Sequence, residues 1–399
     1  MRELLTVEQY QAELLALVEP DVRTESVMVD SAAGRVLAAE VVATVGIPVF
    51  ANSAMDGYAV RFAEVARTPV ALRVVGDVPA GSADDPNAGP GECVRIMTGA
   101  PLPTFADTVV PVEETDGGLA TVTVHRPPDA PGQYVRAAGD DFSAGVRVAA
   151  AGTTVTPAVA ATLAAVGLTR LPVRPRPVVA VRSTGDELVS DGSALGRGQI
   201  YESNSIALAA ALTADGADVR RFDAAPDDAD ALSAWLDGVR ADLVVLSGGA
   251  SVGAYDVVRD VLEAQGGRFC NVRVQPGKPQ GWAVWNGMPV VSLPGNPLAA
   301  ALSCELFVRP MLDRVLGRPE RPWLTAVAGA DWASPQRRRQ LVPVRLSTGA
   351  DGRLTAVPSH RRGSASHVLS SLAEADGYCV VAEDVTVVVA GDLLQARWL

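Results

Sequence analysis

Acidic residues in loops that contain glycine are the most prominent candidates for chemistry in this sequence. They are Asp56, Asp141, Asp186, Glu187 and Asp256. Glycine allows backbone N–H groups to approach an anion, and oxygen ligands favour Mg²⁺, which binds through one or two carboxylates together with substrate phosphates. The pattern therefore indicates a phosphate-containing substrate. For each loop considered alone, Asp-Gly and Thr-Gly pairs are also typical of ordinary turns.

The segment Asp242–Asp256, DLVVLSGGASVGAYD, contains the clearest of these loops. Its apolar run Leu243–Leu246 predicts a buried parallel strand, and Ser-Gly-Gly follows at the end of that strand. A helix is predicted to begin after Asp256, so the loop and the helix N-terminus together would form a phosphate site. Asp256 itself is equally consistent with a metal ligand and with a helix cap.

Two further loops offer groups that bind anions. Lys278 lies in the stiff loop QPGKP and is the single lysine between residues 177 and 316, which favours binding of an oxyanion. The loop PGNP at 294–297 offers backbone N–H groups at a helix start, although Asn296 before a proline is also a typical cap.

Several other kinds of site are excluded by missing motifs. The sequence has no HExxH and no CxxC, and its histidines are His125, His360 and His367, so zinc catalysis is not expected. It also lacks GxSxG, the Walker motif GxxxxGK[ST] and a GxGxxG at the first predicted strand of its α/β region. A net charge of −12 argues against generic nucleic-acid binding, which needs clustered Lys and Arg.

The elements that must position these loops alternate between strand and helix. The predicted strands are Val178–Val181, Val219–Phe222, Leu243–Leu246, Phe269–Val274 and Pro289–Leu293, and the predicted helices are Asn204–Asp215, Asp227–Val239, Val257–Ala264 and a long one ending near Leu316. This alternation predicts a parallel, doubly wound sheet, whose ligands bind at the carboxyl ends of the strands. We therefore expect the loops 183–188, 247–255 and 294–297 to converge.

The flanking regions have different patterns. Residues 46–141 predict a small, mostly antiparallel β domain, and residues from about 323 predict a C-terminal β barrel or sandwich. The remaining predictions are helices over 6–19 (with a Thr6–Gln9 capping box), 31–39 and 154–168, and a stiff linker over 171–177.

The composition agrees with a multidomain cytoplasmic protein. The chain has 399 residues, of which 48% are hydrophobic, so several cores are expected. Four scattered cysteines without CxxC spacing indicate reduced, buried thiols. We expect no signal peptide in the acidic N-terminal segment and no membrane span.

Six motifs, in order along the whole chain, resemble those of the molybdopterin molybdenumtransferase family, the MoeA-like group that includes the C-terminal domain of gephyrin. They are NSAMDGYA, RIMTGAPLP, STGDEL, SGGASVGAYD, QPGKP and LPGNP. The resemblance implies four domains: a helical linking domain (1–45 and 142–176), a β-rich insert (46–141), a central doubly wound α/β molybdopterin-binding domain (177–322) and a C-terminal barrel-like β domain (323–399).

The resemblance also implies an activity and partners. In similar proteins, Mg²⁺ assists hydrolysis of adenylyl-molybdopterin, AMP leaves, and molybdate is inserted into the dithiolene. The family forms homodimers, with the site between the α/β domain of one subunit and the insert of the other. The adenylyltransferase and the molybdoenzymes are candidate partners; nucleic acid and membranes are not expected.

Site residues follow from the resemblance by matched position. It implies catalytic roles for Asp56, Thr98, Glu187 and Asp256, with Asp256 and Glu187 as Mg²⁺ ligands. The substrate-binding residues that it implies are Asp141, Ser183, Thr184, Gly185, Ser247, Gly248, Gly249, Lys278, Pro294, Gly295, Asn296, Arg338 and Ser366.

Two residues depart from the family pattern. Gln275 stands where the family often has lysine, and an amide can bind an oxyanion but lacks the charge. Arg337 stands where the family usually has glycine before the arginine. Two alternative functions remain: a molybdopterin adenylyltransferase, which shares the α/β domain, and a non-enzymatic scaffold like gephyrin.

Overall fold

The structure, a computed structural model, describes residues 4–249, 256–349 and 351–399. Its α/β domain is built on a seven-stranded sheet. In spatial order the strands are Leu4–Leu5, Arg268–Val272, Pro279–Trp285, Met288–Leu293, Leu243–Ser247, Val178–Ser183 and Asp218–Arg221. The last four run parallel, as predicted. Pro279–Trp285, which sequence patterns did not indicate, runs antiparallel to both neighbours.

Helices cover both faces of this sheet, so the predicted doubly wound arrangement is confirmed. One face packs against Val7–Leu15, Asn204–Ala214 and a long helix made of Pro297–Ser303, a π-helical turn Cys304–Val308 and Arg309–Leu316. The other face packs against Ala229–Gly238 and Val257–Ala264. Because both faces are buried, the central strands Leu243–Ser247 and Met288–Leu293 carry near-continuous apolar side chains.

The N-terminal segment packs with the α/β domain, whereas the sequence grouped it with the linking domain. Thr6 and Gln9 form the predicted capping box at the start of the helix. Tyr10 and Leu14 are fully buried in the core on one face of the sheet. The Tyr10 hydroxyl also donates to the Gly281 carbonyl at 3.1 Å. Helical periodicity predicts an apolar face but does not say which core that face enters.

The insert domain contains a five-stranded sheet. Its spatial order is Thr108–Pro111, Gly57–Val60, Glu92–Ile96, Val70–Val78 and Thr121–Val124. One pair, Val70–Val78 with Glu92–Ile96, is parallel, and the other three pairs are antiparallel, as expected for most of this domain. The helix Phe62–Val65 and the 3₁₀ turn Val112–Glu114 complete the domain.

The linking domain contains more β structure than predicted. Its helix Pro157–Ala165 is capped by Thr156, as expected. The helix predicted over 31–39 is wrong: a 3₁₀ turn at Val29–Ser31 is followed by a second turn and by isolated β-bridges at Val36 and Leu37. Leu37 is fully buried there and pairs with another strand, so tertiary pairing overrides the local helical preference.

The linker predicted over 171–177 is also wrong over its first residues. Arg170–Val173 is a strand that pairs with Glu25–Met28 and buries Leu171. Two further short pairs belong to the linking and insert domains, Val41–Val42 with Arg147–Ala149 and Asn52–Ser53 with Val135–Arg136.

The C-terminal domain is a closed five-stranded barrel, which confirms the predicted architecture. Around the barrel the strands are Arg339–Thr348, Leu354–Pro358, Leu324–Ala328, Leu393–Trp398 and Gly377–Val381, and the last pairs with the first. The barrel domain also contains the helix Ser370–Ala373 and the strand pair Trp332–Ala333 with Val387–Val388. The α/β domain contains one further strand pair, Leu188–Val189 with Ile200–Tyr201. None of the helices in the described residues has the length and apolar character that crossing a membrane requires.

Candidate functional site

Three strand-end loops of the α/β domain meet at one edge of the sheet, as predicted. The Thr184 N–H donates to the Ser247 carbonyl at 2.9 Å, and the Gly248 N–H donates to the Leu293 carbonyl at 3.1 Å. A Cβ on Gly295 would lie 3.5 Å from Gly248 Cα, so the PGNP loop touches the Ser-Gly-Gly loop. The three loops therefore form one continuous surface, with Pro294 buried beneath it and Gly295 exposed.

Two consecutive glycines make this close approach possible. Gly248 and Gly249 have φ values of 101° and 72°, a region that side chains disfavour. A Cβ on Gly248 would lie 2.6 Å from the Thr184 carbonyl oxygen, and a Cβ on Gly249 would overlap the side chain of Val258. Glycine is required at both positions by conformation and by space. The rest of this loop, residues 250–255, lies outside the described residues.

A buried carboxylate that the sequence analysis missed supports the first loop. Glu202 is 7% exposed and accepts hydrogen bonds from the Ser183 hydroxyl at 2.7 Å and from the Ser205 N–H at 2.7 Å. Its second oxygen accepts from the Ser205 hydroxyl at 2.8 Å. Glu202 thereby ties the end of a strand to the start of the helix Asn204–Ala214.

Asn204 is a second residue that the sequence analysis missed. Its amide Nδ2 donates to the Ser247 hydroxyl oxygen and to the Gly295 carbonyl, both at 2.7 Å. One side chain therefore bridges two of the three loops. The signal was available in the sequence, because the polar run Glu-Ser-Asn-Ser stands directly at a predicted helix start.

Asp256 lies at the N-terminus of the helix Val257–Ala264 and is 5% exposed. Its carboxylate accepts from the Arg259 N–H at 3.2 Å, which establishes the capping role that the sequence left open. A Cβ on Gly249 would lie 3.0 Å from Asp256 Oδ1, so this carboxylate borders the double glycine.

Glu187 is exposed and folds back over its own loop. A Cβ on Gly185 would lie 2.7 Å from the Glu187 carboxyl carbon. The neighbouring Asp186 is a turn acid, which accepts from the Asp227 N–H at 3.0 Å. The two predicted metal ligands are Glu187 and Asp256. Glu187 lies on the Thr184 loop, which contacts Gly248 of the loop that precedes Asp256.

This donor set fits Mg²⁺. The described residues contain no cluster of three or more His, Cys, Asp or Glu side chains suited to a metal. Asp256 and Glu187 each contribute a carboxylate, and Mg²⁺ prefers one or two protein carboxylates completed by phosphate and water. The arrangement does not fit zinc, which prefers nitrogen and sulfur ligands.

A seam between the α/β domain and the barrel contains two side-chain contacts that involve predicted substrate-binding residues. Asn296 Nδ2 donates to the Ser366 hydroxyl oxygen at 3.2 Å, instead of capping its helix. Arg338 Nη1 donates to Gln275 Oε1 at 3.2 Å. The buried Gln340 joins the two halves of the seam, because it donates to the Ser364 hydroxyl oxygen at 2.8 Å and pairs through its backbone with Gln275.

Lys278 is exposed in the turn before the strand Pro279–Trp285. Gly277, beside it, is fixed because its carbonyl accepts from the buried Gln280 at 2.7 Å. The turn leaves the same edge of the sheet as the three strand-end loops, since Gly281 pairs with Ser292 near the end of its strand. Lys278 is the only lysine of the 399 residues.

The predicted insert residues form a separate cluster. Asp56 Oδ1 accepts from the Thr98 N–H and from the Thr98 hydroxyl, both at 2.7 Å. These two hydrogen bonds, the backbone one first, lower the pKa of Asp56 from its ordinary value. Asp141 lies apart, at the return to the linking domain, where its N–H donates to the Ile47 carbonyl at 2.9 Å. Among the described residues, no hydrogen bond or ion pair joins the insert to the α/β domain of the same chain.

Covalent catalysis by a thiol is not supported. All four cysteines are buried thiols, as predicted. Burial raises the pKa of both Cys93 and Cys379 to about 12, and it also raises that of Cys304. These thiols are therefore protonated core residues near neutral pH.

Comparison with known families covers nearly the whole chain. Residues 5–167 match the MoeA N-terminal region (domain I and II), residues 180–314 match a probable molybdopterin binding domain, and residues 325–396 match the MoeA C-terminal region (domain IV). These three regions agree in order with the domains that the fold displays.

Individual proteins are similar over the same length. Molybdopterin molybdenumtransferase 2 of Mycobacterium tuberculosis is 44% identical over 410 residues, which cover 99% of each chain. Molybdopterin molybdenumtransferase 1 of that organism is 35% identical over 424 residues, again with 99% of each chain. A crystal structure of a molybdopterin biosynthesis MoeA protein from Pyrococcus horikoshii superposes with a TM-score of 0.84 at 26% identity and covers 100% of both chains. The chain therefore belongs to the MoeA family of molybdopterin molybdenumtransferases.

Proposed function

We propose that this protein inserts molybdenum into molybdopterin, using adenylyl-molybdopterin and molybdate as substrates and releasing AMP. The observation that carries the proposal is the meeting of three loops at one sheet edge, which places Thr184, Gly248 and Gly295 in one surface beside Asp256. Family membership supports the same activity.

The α/β loops bind the phosphoanhydride in this proposal. The phosphates lie against the Gly249 backbone and the hydroxyl groups of Thr184 and Ser247, because the N–H groups of Thr184, Gly185 and Gly248 already donate to carbonyl groups of the fold. Such fixed donors stabilise the charge that develops when water cleaves the anhydride, because they need no reorganisation during the reaction. Asn204 holds two of these loops at their spacing.

Mg²⁺ would be held by Asp256 and Glu187, where it supplies charge neutralisation at the phosphates. The Glu187 side chain is exposed, whereas Asp256 is buried and held by its helix cap. Asp256 is therefore the residue on which the site depends most.

Molybdate is proposed to bind at the seam between the α/β domain and the barrel. Lys278 and Arg338 supply positive charge there, and Asn296 and Ser366, which contact each other, supply polar groups. Lys278 suits this role because a flexible ammonium is a strong point charge for an oxyanion. In this proposal Asp56 and Thr98 complete the cleft from a second copy of the chain, with Asp141 nearby.

The experiment measures molybdate-dependent AMP release from adenylyl-molybdopterin by Asp256→Asn and Asp256→Ala. Asparagine caps a helix as well as aspartate, whereas alanine loses about 1 kcal/mol of stability. We expect both variants to lose AMP release and only Asp256→Ala to lose stability. Asp228→Asn is the matched control, because Asp228 caps another helix by accepting from the Ala231 N–H at 2.7 Å.

Three results would contradict parts of the proposal. Wild-type AMP release by Asp256→Asn would show that the carboxylate charge is not used. Formation of the adenylate from ATP and molybdopterin, rather than its consumption, would identify an adenylyltransferase. Failure of mixed Asp56→Asn and Asp256→Asn dimers to regain activity would exclude a site shared between two copies.

Molybdate binding can be measured separately from turnover. Because Lys278 is the only lysine, its modification by an amine-selective reagent is read from one peptide by mass spectrometry. Molybdate should slow that modification while leaving modification of the N-terminal amine unchanged. Equal modification rates with and without saturating molybdate would place the oxyanion elsewhere.

A further inference from the structure

The seam between the α/β domain and the barrel contains a hydrogen bond between a charged and a neutral side chain. Arg338 Nη1 donates to Gln275 Oε1 at 3.2 Å. Gln275 belongs to the short strand Val274–Gln275 of the α/β domain, and Arg338 precedes the first strand of the barrel. Both side chains are partly exposed, so a ligand can reach them.

The backbone places these two residues independently of their side chains. Val274–Gln275 pairs in parallel with the start of the strand Arg339–Thr348, with Gln275 opposite Gln340. The Arg339 N–H also donates to the Arg273 carbonyl at 2.8 Å. The domains are thus joined by main-chain hydrogen bonds, and the Gln275–Arg338 contact decides only where the guanidinium points.

An amide is well suited to hold this guanidinium for anion binding. Its oxygen accepts a hydrogen bond, while its lack of charge leaves the positive charge of Arg338 uncancelled. A lysine at position 275 has no acceptor and would repel Arg338. A glutamate would accept the bond more strongly but would neutralise the cation. Only the amide combines a fixed direction with an available charge.

We infer that Gln275 is a positioning residue that aims Arg338 at the bound oxyanion. The inference rests on the proposed role of Arg338 in molybdate binding. Gln275 lacks the charge of a lysine, but it holds Arg338 in one orientation. An oriented guanidinium can bind the oxyanion through two N–H groups, whereas a lysine at position 275 would repel Arg338. The oxyanion is bound by Lys278 and an oriented Arg338 in this chain.

The test is a double-mutant cycle on the full-length protein with molybdate as the probe. Gln275→Met keeps the length of the side chain and removes the acceptor. We expect it to raise KM for molybdate about tenfold with kcat and Tm unchanged, on the order of the loss of one hydrogen bond to a charged group. Arg338→Met should raise KM further, and the double variant should be no worse than Arg338→Met alone.

Two further variants sharpen the cycle. Gln275→Glu restores the acceptor but cancels the charge, so it should also raise KM for molybdate; a lowered KM would overturn the charge argument. Gln336→Met is the matched control, because Gln336 is an exposed glutamine two residues before Arg338, and its KM should equal that of the wild type.

The outcomes separate the inference from the proposed function. If Arg338→Met leaves the KM for molybdate unchanged, the proposed role of Arg338 in oxyanion binding is wrong. If Arg338→Met raises KM but Gln275→Met does not, or if their effects add independently, Gln275 does not position Arg338. A lowered Tm of Gln275→Met accompanied by an unchanged KM would assign Gln275 to domain packing alone.

Discussion

Replacement of Gly248 by alanine tests the close approach on which the candidate site depends. The new Cβ would lie 2.6 Å from the Thr184 carbonyl oxygen and 2.8 Å from its hydroxyl oxygen. The backbone at Gly248 also has a φ of 101°, which alanine disfavours. Either the Ser-Gly-Gly loop or the Thr184 loop must therefore move.

The cost follows from two contributions. A left-handed backbone costs an L residue about 1–2 kcal/mol, and overpacking of a well-filled region costs about 1–3 kcal/mol. Alanine restricts the unfolded chain and recovers about 0.4–1 kcal/mol. We therefore expect Gly248→Ala to destabilise the α/β domain by about 2–4 kcal/mol and to lose most of its affinity for adenylyl-molybdopterin.

Gly287→Ala is the matched control, because Gly287 has a similar left-handed φ of 83° but no atom within 4 Å of its added Cβ. It should lose only about 0–1.5 kcal/mol, which is the backbone cost less the same gain from the unfolded chain, and it should keep substrate affinity. Urea unfolding followed by tryptophan fluorescence gives the stability of each variant, and equilibrium titration gives the affinity. If Gly248→Ala equals Gly287→Ala in both measurements, the loops do not need their observed spacing.

Three further perturbations test individual contacts. Asn204→Ala should raise KM for adenylyl-molybdopterin more than it lowers Tm, because it frees two loops that the amide joins; a change in Tm alone would contradict this. Arg337→Gly should stabilise the barrel by about 0.5–1 kcal/mol in urea unfolding, because Arg337 has a φ of 59° that suits glycine. A loss of stability would show that the backbone at Arg337 is not strained. Thr98→Val should raise the NMR-measured pKa of Asp56 toward its ordinary value, because the hydroxyl donor is lost while the backbone donor stays. Since that pKa is depressed in the folded protein, the Asp56 contribution to stability is present above the unfolded pKa and is lost as pH falls through the folded value. Thr98→Val should reduce that acid dependence, and an unchanged pKa would contradict the assignment.

The sequence predicted the site loops better than the elements around them. Gly248 could be identified because an apolar strand ending in small residues has few alternatives in an α/β sheet. Glu202 was missed because its burial depends on Ser183 and Ser205 folding around it. The helix predicted over 31–39 failed for the same reason, since Leu37 pairs with a distant strand.

The departure at Arg337 shows how sequence and structure complement each other. The resemblance to the family implied glycine at this position, and the structure shows a left-handed backbone there, which suits glycine. For Gln275, the sequence showed a missing charge, and only the structure showed the hydrogen bond to Arg338.

Local sequence determines the strand-loop-helix units of this protein, because hydrophobic periodicity, caps and glycines act over a few residues. It also determines the family, since the six motifs keep their order along the chain. Tertiary structure decides what those units contact: the core that Tyr10 enters, the loops that Asn204 joins and the arginine that Gln275 holds. Such contacts join residues that are distant in the chain, and their side-chain geometry depends on the packing of whole domains, which no local pattern specifies.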